Sequence, residues 1–554
     1  MRNGAKNAVI GGVFAVVMGG LGYGAYALVS DGGGSDGPSA VRQADGDGGP
    51  KGSGPLQADE IRTTAEEFLA AWAKGDDGAA AALTDDEAAA KAALKSYRED
   101  AHVVKAAIEP AAADGETVPF RVEARVEYAR SGDRTDSAVA GDWAYDGSLE
   151  VVRDSPTGDA LVRWSPAVLH PDLKRGDTLV TEEASFPVKA VDRDGGELTP
   201  AKYPSLTTVA KALGKTYGER AGGTPSVETY IRKADDKGEP KTLFRVSEGK
   251  AGTLETTIDP AVQAAAEKAV AAKPKTSLVA LRPSTGEILA VANSEPDGFN
   301  TALQGSLAPG STMKIVTASL LLDKGLATAD GPHPCPKYSS YGGWKFQNLE
   351  KFEIKGGTFR DSFGRSCNTA FISQAGELAD DDLTEQARDV FGLGRDDWAT
   401  GVPTFDGAVP VQKDAPKAAS LIGQGGVRMN PLDMVSVIAT AKTGTFAMPY
   451  LVSPSLDDRD IATAPRAMQP STKSQLKALL TYTAKYGSAA EPMAGLGDDV
   501  GAKTGSAEVD GQKKPNAWFT AWRGDVAAAA VVQGAGRGGL NAGPVVRQVL
   551  LAGE

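Results

Sequence analysis

The chain has 554 residues, and 72 Asp and Glu against 59 Lys and Arg leave a formal charge of −13; this length exceeds one compact core and implies roughly three units with connections. The acidic balance would repel a phosphate backbone, which argues against nucleic acid as a partner. Three scattered histidines, His102, His170 and His333, argue against a zinc site and against a Ser/His/Asp triad, and Cys335 and Cys367 form no CxxC pair, leaving one structural disulfide or two inert buried thiols.

Residues 8–29 are uncharged and mostly apolar, enough to cross ~30 Å of hydrocarbon as a helix. Arg2 and Lys6 precede this run and Asp31 and Asp36 follow it. The positive-inside bias therefore predicts a cytoplasmic tail at 1–7, a transmembrane anchor at 8–29 and an extracytoplasmic remainder, that is, a single-pass cell-membrane protein. A cleaved signal peptide is the alternative, with Ala25-Tyr26-Ala27 as its small-residue site. Residues 30–57 are rich in Gly, Asp, Ser and Pro and predict a flexible linker. Within it, Gly33-Gly34-Ser35-Asp36-Gly37 matches a G-x-S-x-G hydrolase elbow but lacks the strand before and the helix after, so it reads as compositional coincidence.

In the segment 58–177, Ile61, Ala65, Phe68, Leu69 and Trp72 fall at helical spacing, a second Ala-rich helical stretch follows, and strand-like runs occupy 118–128, 139–145, 148–152 and 160–164. Helices followed by meandering strands predict an α+β unit with nothing catalytic in it. The segment 178–252 mixes short strands with polar connectors around the turn-rich run 190–196, and reads as a linker or pedestal domain. All the persuasive chemistry lies in 253–554.

Ser311-Thr312-Met313-Lys314 follows Pro309-Gly310 and opens the apolar run 315–322, which stops near Gly325. That pattern predicts a buried helix with Ser311 at its N-terminus and Lys314 on the same face. A serine hydroxyl is a weak nucleophile until a base takes its proton, and a lysine can be that base if burial lowers its pKa from ~10.4 towards ~7 to 8. S-x-x-K alone is a weak signal, and Ser247-Glu248-Gly249-Lys250 and Ser474-Gln475-Leu476-Lys477 match it without a buried helix. Ser366-Cys367-Asn368 follows further on; Ser366 can relay a proton and Asn368 can hold a substrate amide, although the tripeptide alone could equally be a helix cap. Lys503-Thr504-Gly505-Ser506 comes third, at the head of a predicted three-stranded antiparallel meander through 517–522 and 526–533. There Lys503 supplies a cation, Thr504 a hydroxyl, and Gly505 close backbone approach for a carboxylate-bearing substrate. An identical Lys442-Thr443-Gly444 ends a predicted helix capped by Asn430 and Pro431, a structural use of the same letters.

The order S-x-x-K, S-x-N, K-T-G in the last 300 residues resembles the transpeptidase domain of class B penicillin-binding proteins. Leu254-Glu255-Thr256-Thr257-Ile258-Asp259-Pro260 and Ile422-Gly423-Gln424-Gly425 extend the likeness. Asp192-Arg193-Asp194-Gly195 resembles the family's pedestal signature. Trp164-Ser165-Pro166 and Leu169-His170-Pro171-Asp172-Leu173 resemble the nuclear-transport-factor-two-like domain of members such as the penicillin-binding protein A type of Gram-positive actinobacteria. The resemblance implies an α+β multidomain chain: a nuclear-transport-factor-two-like domain at 58–177, a pedestal or dimerisation-like domain at 178–252, and a penicillin-binding transpeptidase fold at 253–554, an antiparallel five-stranded sheet flanked by helices.

It further implies that Ser311 attacks a D-Ala-D-Ala stem peptide and passes the acyl group to an amine on a neighbouring stem, with Lys314, Ser366, Asn368 and Lys503 catalytic and Thr504, Gly505 and Ser506 binding substrate. The oxyanion is expected between the Ser311 and Ser506 N–H groups. β-Lactams are the expected inhibitors, no cofactor or metal is required, and division or elongation proteins are the expected partners. A D,D-carboxypeptidase is the nearest enzymatic alternative, and a non-catalytic β-lactam or peptidoglycan sensor or scaffold the non-enzymatic one. A bifunctional glycosyltransferase-transpeptidase needs another large catalytic domain before Thr253, where both units read otherwise, and the sequence shows no E-x-x-L-N segment resembling the one that class A β-lactamases use for deacylation. In the exported compartment Cys335 and Cys367 are expected to pair.

Overall fold

The computed structural model describes residues 54–553 apart from 131–137, 156, 185, 235–240 and 297. The expected anchor at 8–29, the G-x-S-x-G match and nearly all of the expected linker lie outside the described residues. Among those described, no helix is long and apolar enough to cross a membrane.

The first helix, Ala58–Lys74, is set by a Gln57/Glu60 capping box and stopped by left-handed Gly75, and it buries the apolar stripe Ile61, Ala65, Phe68, Leu69 and Trp72. Helices Asp77–Ala82 and Glu87–Glu99 follow. Four antiparallel strands pair in sequence order: β1 (Val103–Pro110), β2 (Thr117–Tyr128), β3 (Val139–Arg153) and β4 (Ala160–Val162). Trp72 packs edge-on against Tyr97 and Phe120, joining helices to sheet. The runs expected as two strands at 139–145 and 148–152 are one strand, because Gly147 sits opposite Phe120 and leaves room for that ring to cover it. β1 lies where sequence periodicity showed nothing, since only Val103 of its residues is buried.

The middle segment builds two small sheets from β5 (Thr178–Glu183), β6 (Val188–Val191), β7 (Val227–Arg232), β8 (Lys241–Ser247) and β9 (Gly252–Glu255); β5, β7 and β8 pair antiparallel, β6 and β9 parallel. β9 runs across the expected 252/253 boundary, so the middle segment is paired into the beginning of the last one. In the Asp192-Arg193-Asp194-Gly195 turn, the Asp192 carboxylate accepts from the N–H groups of Asp194 and Gly196, while Arg193 pairs with Glu287 at 2.9 Å. The turn thereby fastens the middle segment to the last one.

The last domain centres on a five-stranded antiparallel sheet in the order β11-β10-β16-β15-β14, with β10 (Thr276–Leu281), β11 (Ile288–Asn293), β14 (Val500–Ala507), β15 (Asn516–Arg523) and β16 (Val526–Val532). The hairpin β12 (Tyr338–Tyr341) and β13 (Trp344–Gln347) lies apart from it. Alternation divides the sheet's side chains: Leu278 and Ala280 join Val262, Val270, Val545 and Val549, whereas Val279 and Leu281 join Ile315, Val435 and Ile438. Helices Pro260–Ala271 and Gly543–Ala552 thus cover one face, and Lys314–Asp323 and Pro431–Thr443 the other. Both faces are buried, yet β14 remains an edge, and the site is built there.

Candidate active site

Ser311 sits in a single 3-10 turn, Gly310–Met313, that leads into the helix Lys314–Asp323, one turn earlier than an N-terminal helical position. Gly310 has φ 54° and donates its N–H to the Gly423 carbonyl at 2.9 Å. A Cβ at Gly310 would stand 2.7 Å from the Ser506 carbonyl, so glycine is what lets the nucleophile turn lie against β14. The Ile422-Gly423-Gln424-Gly425 segment buttresses that turn from behind.

The Lys314 amine is fully buried and lies 3.0 Å from the Ser311 Oγ, 2.9 Å from the Ser366 carbonyl and 2.7 Å from the Asn368 Oδ1. Two of these partners can only accept, whereas the serine hydroxyl can also donate. A neutral amine satisfies all three, giving two N–H bonds and receiving the Ser311 proton on its lone pair. Burial, reinforced by the Lys503 charge, pushes the Lys314 amine well below the usual lysine range and favours that form. Lys503 is also fully buried; it donates to the Ser366 Oγ at 2.8 Å and the Thr504 carbonyl at 3.0 Å, and burial pushes it down to about 7. The rings of Phe371 and Phe363 stand 5.5 Å from Lys314 and 5.7 Å from Lys503 respectively.

Ser366 adopts a left-handed backbone, φ 58°, an unusual conformation for serine. Its carbonyl thereby meets Lys314 while its hydroxyl meets Lys503. Next to it, Cys367 is bonded to Cys335 across a separation of 32 residues. Strand β14 carries Lys503, Thr504, Gly505 and Ser506, and the Thr504 Oγ1 lies 2.7 Å from the Ser488 Oγ. A cleft of about 1510 Å³ exposes Ser311, Ser366, Asn368, Thr504, Gly505 and Ser506 together. The structure therefore brings the three motifs to one place. The other matches stand elsewhere: Ser247 ends β8, Ser474 and Lys477 lie on the helix Pro470–Tyr486, and Lys442 pairs with Asp499 in the last turn of the helix Pro431–Thr443, which Gly444 stops with φ 81°.

Two residues without a motif complete the site. Asn348, 1 % exposed, accepts the N–H groups of Asn368 at 2.8 Å and Thr369 at 3.1 Å and donates to the Pro336 and Phe352 carbonyls. Ser488 orients the Thr504 hydroxyl. Neither spacing nor composition marks them, because both act across loops.

A serine hydroxyl facing a buried lysine, beside an antiparallel sheet edge bearing K-T-G, defines an acyl-transfer enzyme of the serine type. The penicillin binding protein transpeptidase domain matches residues 276–551, and the NTF2-like N-terminal transpeptidase domain matches residues 60–177. The chain belongs to the class B penicillin-binding protein family. It is 29 % identical over 372 residues to the peptidoglycan D,D-transpeptidase PbpA of Mycobacterium tuberculosis, spanning 56 % of this chain and 74 % of that one. To the PbpA of Mycolicibacterium smegmatis it is 28 % identical over 457 residues, 70 % of this chain and 90 % of that one. The structure of penicillin-binding protein A from M. tuberculosis as a ceftriaxone acyl-enzyme complex shares the fold, with a TM-score of 0.52, 23 % identity, and coverage of 73 % of this chain and 95 % of that one.

Proposed function

We propose that the chain is a peptidoglycan D,D-transpeptidase that cross-links stem peptides through an acyl-enzyme on Ser311, and that β-lactams inhibit it by acylating the same hydroxyl. The observation that carries this reading is the 3.0 Å approach of the Ser311 Oγ to the buried Lys314 amine, whose other partners are pure acceptors. Lys314 takes the Ser311 proton as the oxygen attacks the penultimate D-Ala carbonyl. The oxyanion is assigned to the Ser311 and Ser506 N–H groups, donors of a kind worth roughly 3 to 4 kcal/mol when preorganised. Ser366, hydrogen-bonded to Lys503, relays a proton from the lysines to the departing D-Ala amine, so its own hydroxyl is restored. Asn368 holds Lys314 in place and is assigned to the substrate amide. Thr504 and Ser506 receive the terminal carboxylate. That carboxylate raises the proton affinity of Lys503 on binding, so the cationic form of the lysine is favoured when its counter-ion is present. An amine on a second stem then attacks the ester and restores Ser311. No cofactor or metal enters these steps.

Export on a single-pass anchor at 8–29 is part of the proposal; the Cys335–Cys367 bond supports it, since disulfides persist in oxidising compartments. Division or elongation proteins are the proposed partners. The test is to give the full-length protein a D-Ala-D-Ala donor together with an amine acceptor. D-Ala release with a cross-linked product supports transpeptidation, and D-Ala release without it supports a D,D-carboxypeptidase.

A further inference from the structure

Three guanidinium groups line the catalytic cleft: Arg365, Arg428 and Arg537. Arg428 is tied to the Gly425 and Val427 carbonyls, and Arg365 lies over the Phe352 ring, 5.2 Å from its centroid. Arg537 differs, because it reaches across the cleft to the carboxylate of Glu350, 187 residues away in sequence.

Both ends of that bridge are placed by the catalytic motifs. Arg537 immediately precedes Gly538, where a Cβ would stand 2.3 Å from the Gly505 carbonyl and 2.1 Å from the Trp518 carbonyl. At Gly539 a Cβ would lie 3.6 Å from the Thr504 Cγ2. The segment bearing Arg537 is thus pressed onto the K-T-G strand, beside the hydroxyls assigned to the substrate carboxylate. On the opposite wall Glu350 is two residues from Asn348, the side chain that holds Asn368. Glu350 and Lys351 both adopt left-handed backbone, φ 56° and φ 57°, which two successive non-glycine residues rarely do. Both partners of the bridge are more than half exposed, so water competes for each and the pair is readily exchanged.

We propose that Arg537 is a specificity-determining receptor for a carboxylate of the stem peptide, and that Glu350 occupies it in the free enzyme and yields it when substrate enters. This rests on the transpeptidase reading. A guanidinium offers a carboxylate a planar, two-pronged match, and replacing one carboxylate by another conserves the ion pair while releasing the cleft's far wall. The carboxylate is either the terminal D-Ala group or a side-chain carboxylate further along the stem.

The experiment measures acylation kinetics of the full chain, separating the dissociation constant from the limiting rate, for wild type, Arg537→Gln and Glu350→Gln. Three ligands are compared: benzylpenicillin, an acyl-D-Ala thioester carrying a terminal carboxylate only, and a stem-peptide donor that also bears a side-chain carboxylate. Arg537→Gln is expected to weaken binding about tenfold, with the loss falling on the dissociation constant. Glu350→Gln is expected to tighten it, a change of opposite sign that a merely structural bridge would not produce. Weakening for all three ligands assigns the terminal carboxylate, and weakening for the third alone assigns the side-chain one. If Arg537→Gln leaves all three constants unchanged, or Glu350→Gln weakens binding as Arg537→Gln does, the inference is overturned. Wild-type protein that never labels at Ser311 would overturn the transpeptidase reading and this inference with it.

Discussion

The Asn348 Oδ1 accepts the Asn368 backbone N–H at 2.8 Å, so an amide outside every motif sets the position of the residue that holds the buried Lys314 amine. Asn348→Ala takes the side-chain partner from the Asn368 and Thr369 N–H groups and from the Phe352 carbonyl, whereas the Pro336 carbonyl keeps the Thr369 hydroxyl. A loss of about 2 to 3 kcal/mol in unfolding free energy is expected. Penicillin acylation should fall at least tenfold, because Asn368 moves. Urea unfolding and labelling rates check both, and acylation at the wild-type rate would show that Asn348 does not position the site.

Lys314→Ala removes the proton acceptor for Ser311 and should slow acylation by a factor on the order of 10² to 10⁴. In the wild-type enzyme the rising limb of the rate against pH reports deprotonation of this buried amine. It should lie well below the range of a free lysine, because burial and Lys503 both disfavour the charge. A rising limb near the ordinary lysine value of 10.5 would contradict a neutral resting amine.

Lys503 is pushed down to about 7 by burial, against 10.5 for an unperturbed lysine. Between these values the unfolded chain binds a proton that the folded one does not, so this group's contribution to stability rises with pH from about 7 towards 10.5. Lys503→Met abolishes that contribution. The variant should be more stable than wild type at neutral pH by something on the order of 1 to 4 kcal/mol, with the difference shrinking as the pH approaches 10, while acylation collapses. Lys442→Ala has the opposite profile. Lys442 pairs with Asp499 at 2.9 Å and donates to the Gly524 carbonyl, which is more than a helix-end charge, so a loss of about 1 to 2 kcal/mol is expected with acylation retained. Melting curves across pH and penicillin labelling separate the two lysines.

The Cys335–Cys367 bond braces the chain on either side of Asn348 and adjoins Ser366. Denatured, never-reduced protein should show no titratable thiol among these two. Reduction should cost ~3 to 4 kcal/mol of stability. Two free thiols would remove the bond from the account.

Two of the three motifs were legible because each joins a reactive residue type to a local backbone signal, Pro309-Gly310 before Ser311 with an apolar helix after it, and strand-length runs after Lys503, whereas Ser366-Cys367-Asn368 stood out only by its place between them. The meander of β14, β15 and β16 was legible because the turn-forming Asp510-Gly511 separates runs of strand length. β10 and β11 were not: all six residues of each are buried and a continuous apolar run carries no period-two signal, which holds for β15 and β16 as well, so periodicity alone marks none of the four. How Ser366 divides its two oxygens between two lysines depends on a single left-handed φ, which no tripeptide encodes. Asn348, Ser488 and the Glu350–Arg537 bridge depend on loops that meet across 16 to 187 residues, and such contacts leave no trace in spacing.

The central claim is that Ser311 is the acylated nucleophile. Its most direct test is incubation with labelled benzylpenicillin, followed by intact mass and peptide mapping of wild type and Ser311→Ala. The account predicts one stable penicilloyl adduct, carried by the peptide containing Ser311 and missing in the variant. An adduct on another residue, or no adduct on folded wild-type protein, would contradict it.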